Sequence, residues 1–155
     1  MTAGSVAATR REARRYPERP IVGVIAVVLR GERALVVRRA NPPLAGRWGF
    51  PGGVLELGET VAEGAMRELA EETGVVAEAA GILTVIDSID HDDERRVRFH
   101  YTLVAVRGTW RSGEGVAGDD ADEVRWLSRE EIVVGGLPTA PMLLPLIDLA
   151  LARDG

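Results

Sequence analysis

The chain has 155 residues, of which 46% are hydrophobic and 28% are charged, with a formal net charge of −5 and no cysteine; this composition fits one globular domain with its own core. The acidic balance disfavours general nucleic-acid binding, which requires cations to neutralise phosphates, and the lack of cysteine excludes disulfides and thiolate metal sites. No apolar run approaches the roughly 20 residues of a membrane span and no secretory signal opens the chain, so we expect a cytoplasmic protein with no membrane or nucleic-acid partner.

Residues 1–20 predict a basic, flexible N-terminal arm, and residues 21–155 predict the folded domain. The arm carries a cluster of four arginines, which are Arg10, Arg11, Arg14 and Arg15. Two prolines follow them and prevent a helix from continuing. A solvated tail is the simplest interpretation of this segment, and contact with an anionic ligand or partner is the alternative.

The first elements of the domain are predicted to be a β-hairpin and a glycine-rich loop. Residues 21–29 and 34–39 are rich in β-branched and apolar side chains on either side of a short polar turn, a pattern typical of paired strands. The loop that follows, residues 48–54, contains three glycines and one proline. Because glycine lacks a Cβ atom, we expect this backbone to lie close to another group.

Residues 60–73 form the clearest predicted helix. Thr60 is a good N-cap, and Glu63 stands three residues later, as in a capping box. Apolar side chains then recur every four positions, so they share one helix face. Gly74 occupies the position where a glycine commonly ends a helix.

The second half of the chain predicts further strands and two helices. The strands are expected at residues 75–89, 97–106, 109–111 and 123–127. A short helix is expected to begin after Ser128, and a final amphipathic helix to span residues 139–153. The order of strands, helix, strands and helices predicts an α/β domain with helices packed on a mixed sheet.

Three glutamates lie in the last two turns of the helix at 60–73. Glu68, Glu71 and Glu72 are three and four positions apart or adjacent, so their carboxylates are expected to converge on one side of the helix. A helix C-terminus carries partial negative charge and favours cations instead. A divalent cation would reverse this penalty, because Mg²⁺ prefers oxygen ligands; a solvated acidic face is the alternative.

The segment 53–75 resembles the Nudix box, G-x5-E-x7-R-E-U-x-E-E-x-G-U, in which U is a bulky aliphatic residue. Its nine fixed positions are filled by Gly53, Glu59, Arg67, Glu68, Leu69, Glu71, Glu72, Gly74 and Val75. The preceding Trp-Gly-Phe-Pro-Gly-Gly is similar to the usual lead-in of the family. The resemblance covers residues 21–150 and implies a Nudix-type α/β/α sandwich and a hydrolase of phosphoanhydride bonds.

The resemblance also implies the roles of the box residues. The ligands of Mg²⁺ or Mn²⁺ would be Glu68, Glu71, Glu72 and the backbone carbonyl of Gly52. Glu59 and Arg67 would pair and support the catalytic carboxylates, as the surroundings of a metal site do. The cation would neutralise the diphosphate and acidify the attacking water, which explains how an acidic protein can bind an acidic substrate.

The general base is expected on the box helix or on a downstream loop. Glu68 is the candidate on the helix. The loop candidates are Asp119, Asp120, Asp122 and Glu123, of which we favour Asp120 as base or outer metal ligand. A solvated carboxylate turn is the alternative interpretation of this loop.

Four further residues are predicted to contact the substrate. Arg38 and Arg39 end a strand near the glycine-rich loop and would meet phosphate. Trp48 and Phe50 would stack on a base. For the two aromatic residues, packing in the core is the alternative.

The substrate class is the least determined part of the sequence interpretation. The segments around the box look similar to the bacterial group of ADP-ribose pyrophosphatase-like proteins, so ADP-ribose is the first choice. The proline that ADP-ribose enzymes commonly carry about sixteen residues after the box is missing from residues 90–92. An oxidised nucleoside triphosphate pyrophosphohydrolase and a non-catalytic domain that binds a nucleotide sugar therefore stay open as alternatives, and we also consider a homodimer.

Overall fold

The computed structural model describes residues 13–41, 44–118 and 121–154. Its strands are β1 (Ile21–Arg30), β2 (Arg33–Arg39), β3 (Trp48–Gly49), β4 (Gly52–Val54), β5 (Val76–His91), β6 (Val97–Ser112) and β7 (Ala121–Ser128). Its helices are α1 (Val61–Thr73), α2 (Arg129–Val134) and α3 (Leu143–Asp154). No helix in this described part of the chain has the length and hydropathy that crossing a membrane requires.

The strands form one mixed sheet, as the sequence predicts. Its main path runs β3-β2-β1-β6-β5, with β4 paired to β1 and β7 paired to β2. Strands β1 and β6 run parallel over nine aligned residues of each strand, and the other strand pairs are antiparallel. Strand β1 is central in the sheet. It pairs with β4, which precedes the box helix, along one edge and with β6 of the long β5–β6 hairpin along the other edge.

Helices cover both faces of the sheet and create two apolar layers. Leu69 of α1 packs in one layer with Val24 and Val28 of β1. Ile147 of α3 packs in the other layer with Val27 of the same strand. Because Leu69 and Ile147 are fully buried, each contributes about 1.5–3 kcal/mol to folding. This arrangement confirms the predicted α/β/α sandwich.

The ends of α1 and α2 follow from their capping residues. Thr60 Oγ1 accepts a hydrogen bond of 3.1 Å from the Glu63 backbone N–H, while its hydroxyl donates to the Glu63 carboxylate. Gly74 ends α1 in the left-handed conformation, with φ of 71°, which costs glycine little. The helix predicted to begin after Ser128 is α2, and Ser128 and Glu131 form a reciprocal capping box at its start.

Strand β6 is longer than predicted. The sequence suggests a break between residues 106 and 109, but the structure continues the strand through Gly108. A Cβ atom on Gly108 would lie 3.1 Å from Val28 Cγ2 and 3.2 Å from Met66 Cε. The glycine therefore lets Met66 of α1 pack closely over the strand, beside Val28 of the neighbouring strand β1, and it does not mark a turn.

Helix α3 begins four residues later than predicted. The segment before it pairs with the glycine-rich loop: Thr139 forms an isolated bridge with Trp48, and the Ala140 N–H donates to the Trp48 carbonyl at 2.8 Å. These extended contacts prevent a helix at residues 139–140, so α3 starts at Leu143.

The end of the N-terminal arm contacts the β5–β6 hairpin. The Tyr16 backbone N–H donates to the Arg98 carbonyl at 2.7 Å, and the Tyr16 hydroxyl donates to Asp92 at 2.8 Å. The Arg96 guanidinium lies 5.1 Å from the Tyr16 ring centroid. Residues 1–12, which include Arg10 and Arg11 of the predicted basic cluster, lie outside the described residues.

Candidate active site

The glycine-rich strand β4 lies between β1 and the box helix. A Cβ atom on Gly52 would overlap the Val24 carbonyl of β1, and one on Gly53 would overlap the Glu68 carboxylate. Only glycine at position 53 therefore allows the Glu68 side chain to lie against the β4 backbone. The expectation that this backbone approaches another group is confirmed, and the group is a predicted metal ligand.

Arg67 joins the loop before α1 to the carboxylates on α1. Its guanidinium donates to both Glu59 oxygens, at 3.0 and 2.6 Å, and to the Val54 carbonyl at 3.2 Å. Its Nη1 atom also donates to Glu68 at 2.8 Å and to Glu71 at 3.3 Å. The bidentate Arg67–Glu59 pair that the sequence predicts is present, and a planar guanidinium suits such a fork.

The carboxylates around Arg67 differ in their protonation behaviour. The hydrogen bonds from Arg67, and then that from the Glu56 backbone, lower the pKa of Glu59 to about 2. Burial instead raises the pKa of Glu68, although Arg67 donates to it, because desolvation penalises the charged form. The contact with Arg67 therefore does not offset the desolvation of the Glu68 carboxylate.

The structure corrects the predicted convergence of the three glutamates. Arg67 lies between Glu68 and Glu71, and Glu72 is buried with 8% of its surface exposed. Across residues 13–41, 44–118 and 121–154, no three His, Cys, Asp or Glu side chains are close enough to hold a metal ion. Helical spacing predicts that the three glutamates share one face of α1. It does not show that the Arg67 side chain lies on that face, between Glu68 and Glu71.

The chemistry of these donors nevertheless fits a divalent cation. Glu59, Glu68 and Glu71 share the single positive charge of Arg67, so negative charge is in excess. All donors are hard oxygen atoms, and Mg²⁺ is commonly bound by one or two carboxylates with waters completing its shell. Gly53 also lets the Glu68 carboxylate lie directly against the β4 backbone.

The loop at residues 113–118 contacts the C-terminal end of α1. The Val116 N–H donates to the Thr73 carbonyl at 2.8 Å, and the Gly118 N–H donates to the Glu72 carbonyl at 2.7 Å. A Cβ atom on Gly118 would overlap the Glu71 carbonyl. The glycines at 113, 115 and 118 are the signal in the sequence that could have revealed this close contact.

The downstream carboxylates divide into two groups. Asp119 and Asp120 follow Gly118 in the chain and lie outside the described residues. Asp122 accepts a hydrogen bond of 2.6 Å from Arg38 Nε, and Glu123 lies 3.3 Å from Arg38 Nη1. These two acids are therefore already paired with a cation on β2.

The predicted substrate residues lie in different environments. Trp48 is 2% exposed and Phe50 is 7% exposed, and both pack in the apolar layer beneath α3. Their rings therefore pack in the core, as the alternative interpretation expects, and offer little surface for a base to stack on. Arg38 is paired with β7 and 40% exposed, and Arg39 lies opposite Ala121 across the β2–β7 ladder.

Comparison with known sequences adds to this geometry. Residues 18–144 match the family model described as "NUDIX domain". The ADP-ribose pyrophosphatase of Methanocaldococcus jannaschii is 36% identical over 107 residues, which are 69% of this chain and 61% of that protein. A MutT-like protein of Streptomyces ambofaciens is 50% identical over 114 residues, 72% of this chain and 66% of that protein. The chain spans less than two thirds of the length of these curated relatives.

Comparison with solved structures gives the same family. The crystal structure of the MutT NUDIX hydrolase from Burkholderia pseudomallei matches with a TM-score of 0.74 and 28% sequence identity, covering 85% of this chain and 98% of that chain.

Proposed function

Because this chain belongs to the NUDIX domain family, we propose that it is a metal-dependent hydrolase that cleaves the diphosphate of a nucleoside diphosphate linked to a second group. The products are a nucleoside monophosphate and the phosphorylated second group. The observation that carries this proposal is the contact set of Arg67, which binds Glu59 of the loop and Glu68 and Glu71 of the helix. It connects the box loop to the acidic end of α1.

The cation would be held by the acidic end of α1 and by β4. Nudix enzymes generally use a divalent metal, and here the ligands would be Glu68, Glu71, Glu72 and the Gly52 carbonyl. When bound, it supplies charge neutralisation of the diphosphate and a lower pKa for the attacking water. Arg67 and Glu59 hold the loop and helix together, and Glu68 and Asp120 stay the two candidates for the general base.

ADP-ribose is the proposed first substrate. The relative from Methanocaldococcus jannaschii carries the name of an ADP-ribose pyrophosphatase, and this chain shares 36% of the compared residues with it. An intact box favours an enzyme over a domain that only binds a nucleotide sugar. The homodimer considered from the sequence stays a prediction.

A nucleotide screen tests the proposed function. The purified chain is incubated with ADP-ribose, other nucleotide sugars and oxidised nucleoside triphosphates, with Mg²⁺ or Mn²⁺, and products are separated by anion-exchange chromatography. We expect AMP and ribose 5-phosphate from ADP-ribose, and no reaction in excess EDTA. Full activity in EDTA would refute the metal-dependent mechanism, whereas preferred cleavage of an oxidised triphosphate would replace the substrate. Tight binding of a nucleotide sugar without cleavage would indicate the alternative, a non-catalytic domain that binds a nucleotide sugar.

A further inference from the structure

An arginine lies between two tryptophans beside the active-site helix. The Arg30 guanidinium is 4.0 Å from the Trp110 ring centroid and 5.0 Å from the Trp126 ring centroid. The three residues come from three different strands, β1, β6 and β7. Cation–π contacts at these distances are attractive, so the side chains form one unit, which we call the Trp110–Arg30–Trp126 clamp.

The clamp holds the first half of the loop at residues 113–118. The Trp110 indole N–H donates to the Gly113 carbonyl at 2.8 Å, and the Trp126 indole N–H donates to the Glu114 carbonyl at 2.7 Å. Arg30 also donates to the Glu114 carboxylate at 3.0 Å. Each member of the clamp therefore makes its own polar contact with the start of the loop.

The second half of the same loop holds the acidic end of α1. The N–H groups of Val116 and Gly118 donate to the carbonyls of Thr73 and Glu72, which a helix end leaves without intrahelical partners. A Cβ atom on Gly113 would lie 2.8 Å from the Gly74 carbonyl, so the loop lies directly on the end of the helix. Displacing the loop would therefore remove two hydrogen bonds from the turn that carries Glu71 and Glu72.

We propose that Arg30, Trp110 and Trp126 are positioning residues that fix the last turn of α1, and with it Glu71 and Glu72, for a divalent cation. The clamp touches neither substrate nor cation and acts only through the loop. The need for it is electrostatic: two carboxylates at the negative end of a helix favour fraying, and the loop N–H groups oppose this by binding the last carbonyls. This role rests on the proposed function, because it assumes a cation at the acidic end of α1.

Conservative substitutions of the tryptophans test the clamp. Trp110→Phe and Trp126→Phe keep an aromatic ring for Arg30 and remove one indole N–H each. We expect each change to weaken Mn²⁺ binding, measured by titration calorimetry well below the melting temperature, by roughly 10-fold, as is common for groups that orient metal ligands. Saturating Mn²⁺ should restore most of kcat, with KM for the nucleotide unchanged. Arg111→Gln, next to Trp110 on β6, is the matched control, since it removes only an exposed ion pair with Glu78 of β5.

A second variant disturbs the loop without touching the clamp. The Cβ atom of Gly118→Ala would overlap the Glu71 carbonyl, so the loop must move away from α1. We expect the same weakening of Mn²⁺ binding, and this variant keeps the test valid if a tryptophan variant does not fold. Suppose that Glu72→Gln abolishes Mn²⁺ binding while Trp110→Phe, Trp126→Phe and Gly118→Ala bind Mn²⁺ as tightly as wild type. The positioning role is then refuted, and the proposed function stands. If Glu72→Gln itself binds normally, the proposed function fails and the positioning role with it.

Discussion

The box segment is held together by ion pairs, whereas two of the predicted substrate residues lie in the apolar core. In the box segment, residues 53–75, Arg67 contacts Glu59, Glu68 and Glu71, and Gly53 lies against Glu68. Among the predicted substrate residues, Trp48 and Phe50 are buried in the core. The resemblance to the Nudix box predicts the pair between Arg67 and Glu59 within this segment. The surroundings of a strand residue depend instead on distant elements, here α3.

The largest expected effect concerns the acidic end of the box helix. Glu72→Gln keeps the shape of a buried side chain and removes its charge, so we expect kcat to fall by at least roughly 10²-fold, a loss typical of an electrostatic deletion in an active site. Steady-state kinetics with Mg²⁺ would measure it. Glu130→Gln, an exposed change on α2, is the control. Wild-type rates in Glu72→Gln would show that the box is not catalytic.

A smaller effect is expected where Arg67 connects loop and helix. Arg67→Lys keeps the charge and loses the fork that binds both Glu59 oxygens, and Lys is a poor replacement at such a site. We expect the free energy of unfolding to fall by about 1–3 kcal/mol, the range for hydrogen bonds to charged groups. Urea denaturation would measure the change. Arg111→Lys, which alters an exposed pair, should cost far less; an equal loss in both variants would contradict the supporting role of Arg67.

The smallest effect on activity is expected among the buried aromatic residues. Phe50→Leu should lower the free energy of unfolding by about 1–2 kcal/mol, because it removes volume from a packed core, and should leave KM for the nucleotide unchanged. Thermal melts and substrate titrations would separate the two effects. A raised KM with unchanged stability would show instead that Phe50 contacts the substrate.

Local signals predicted the fold better than contacts between distant elements. The ends of α1 follow from Thr60 and Gly74 because capping involves residues within one turn of the helix. The continuity of β6 through Gly108 could not be predicted, because it depends on how closely α1 packs over the strand. Strands β1, β2, β5, β6 and β7 were predicted, whereas the short strands β3 and β4 were predicted as a glycine-rich loop. The order of the strands was not predicted, because it depends on pairing between residues far apart in the chain.

The same division applies to the candidate site. The Arg67–Glu59 pair follows from the motif. The close approach of the glycine backbone was also predicted, but not that the contacting group is Glu68. The position of Arg67 between Glu68 and Glu71 was not predicted, because helical spacing alone does not show where a long side chain bends. The contacts of Trp110 and Trp126 were also missed, since each joins an indole on a strand to a carbonyl of a separate loop.

Thermal stability tests whether the acidic end of α1 binds a divalent cation, as proposed. A ligand that binds only the folded state stabilises it by about 2.7 kcal/mol at a hundredfold excess over Kd, and each kcal/mol raises the Tm of a chain this long by about 2–4 °C. Thermal melts with Mn²⁺, and with a monovalent salt at equal ionic strength, measure this directly. Glu71→Gln loses a long contact with Arg67 that is worth little at an exposed site.

We therefore expect Mn²⁺ to raise the Tm of the wild-type chain by several degrees and the monovalent salt to leave it unchanged. The Glu71→Gln variant should melt close to wild type without Mn²⁺ and should lose most of the rise that Mn²⁺ causes. A wild-type Tm that does not respond to Mn²⁺, or an equal rise in Glu71→Gln, would contradict the assignment of this helix end as the metal site.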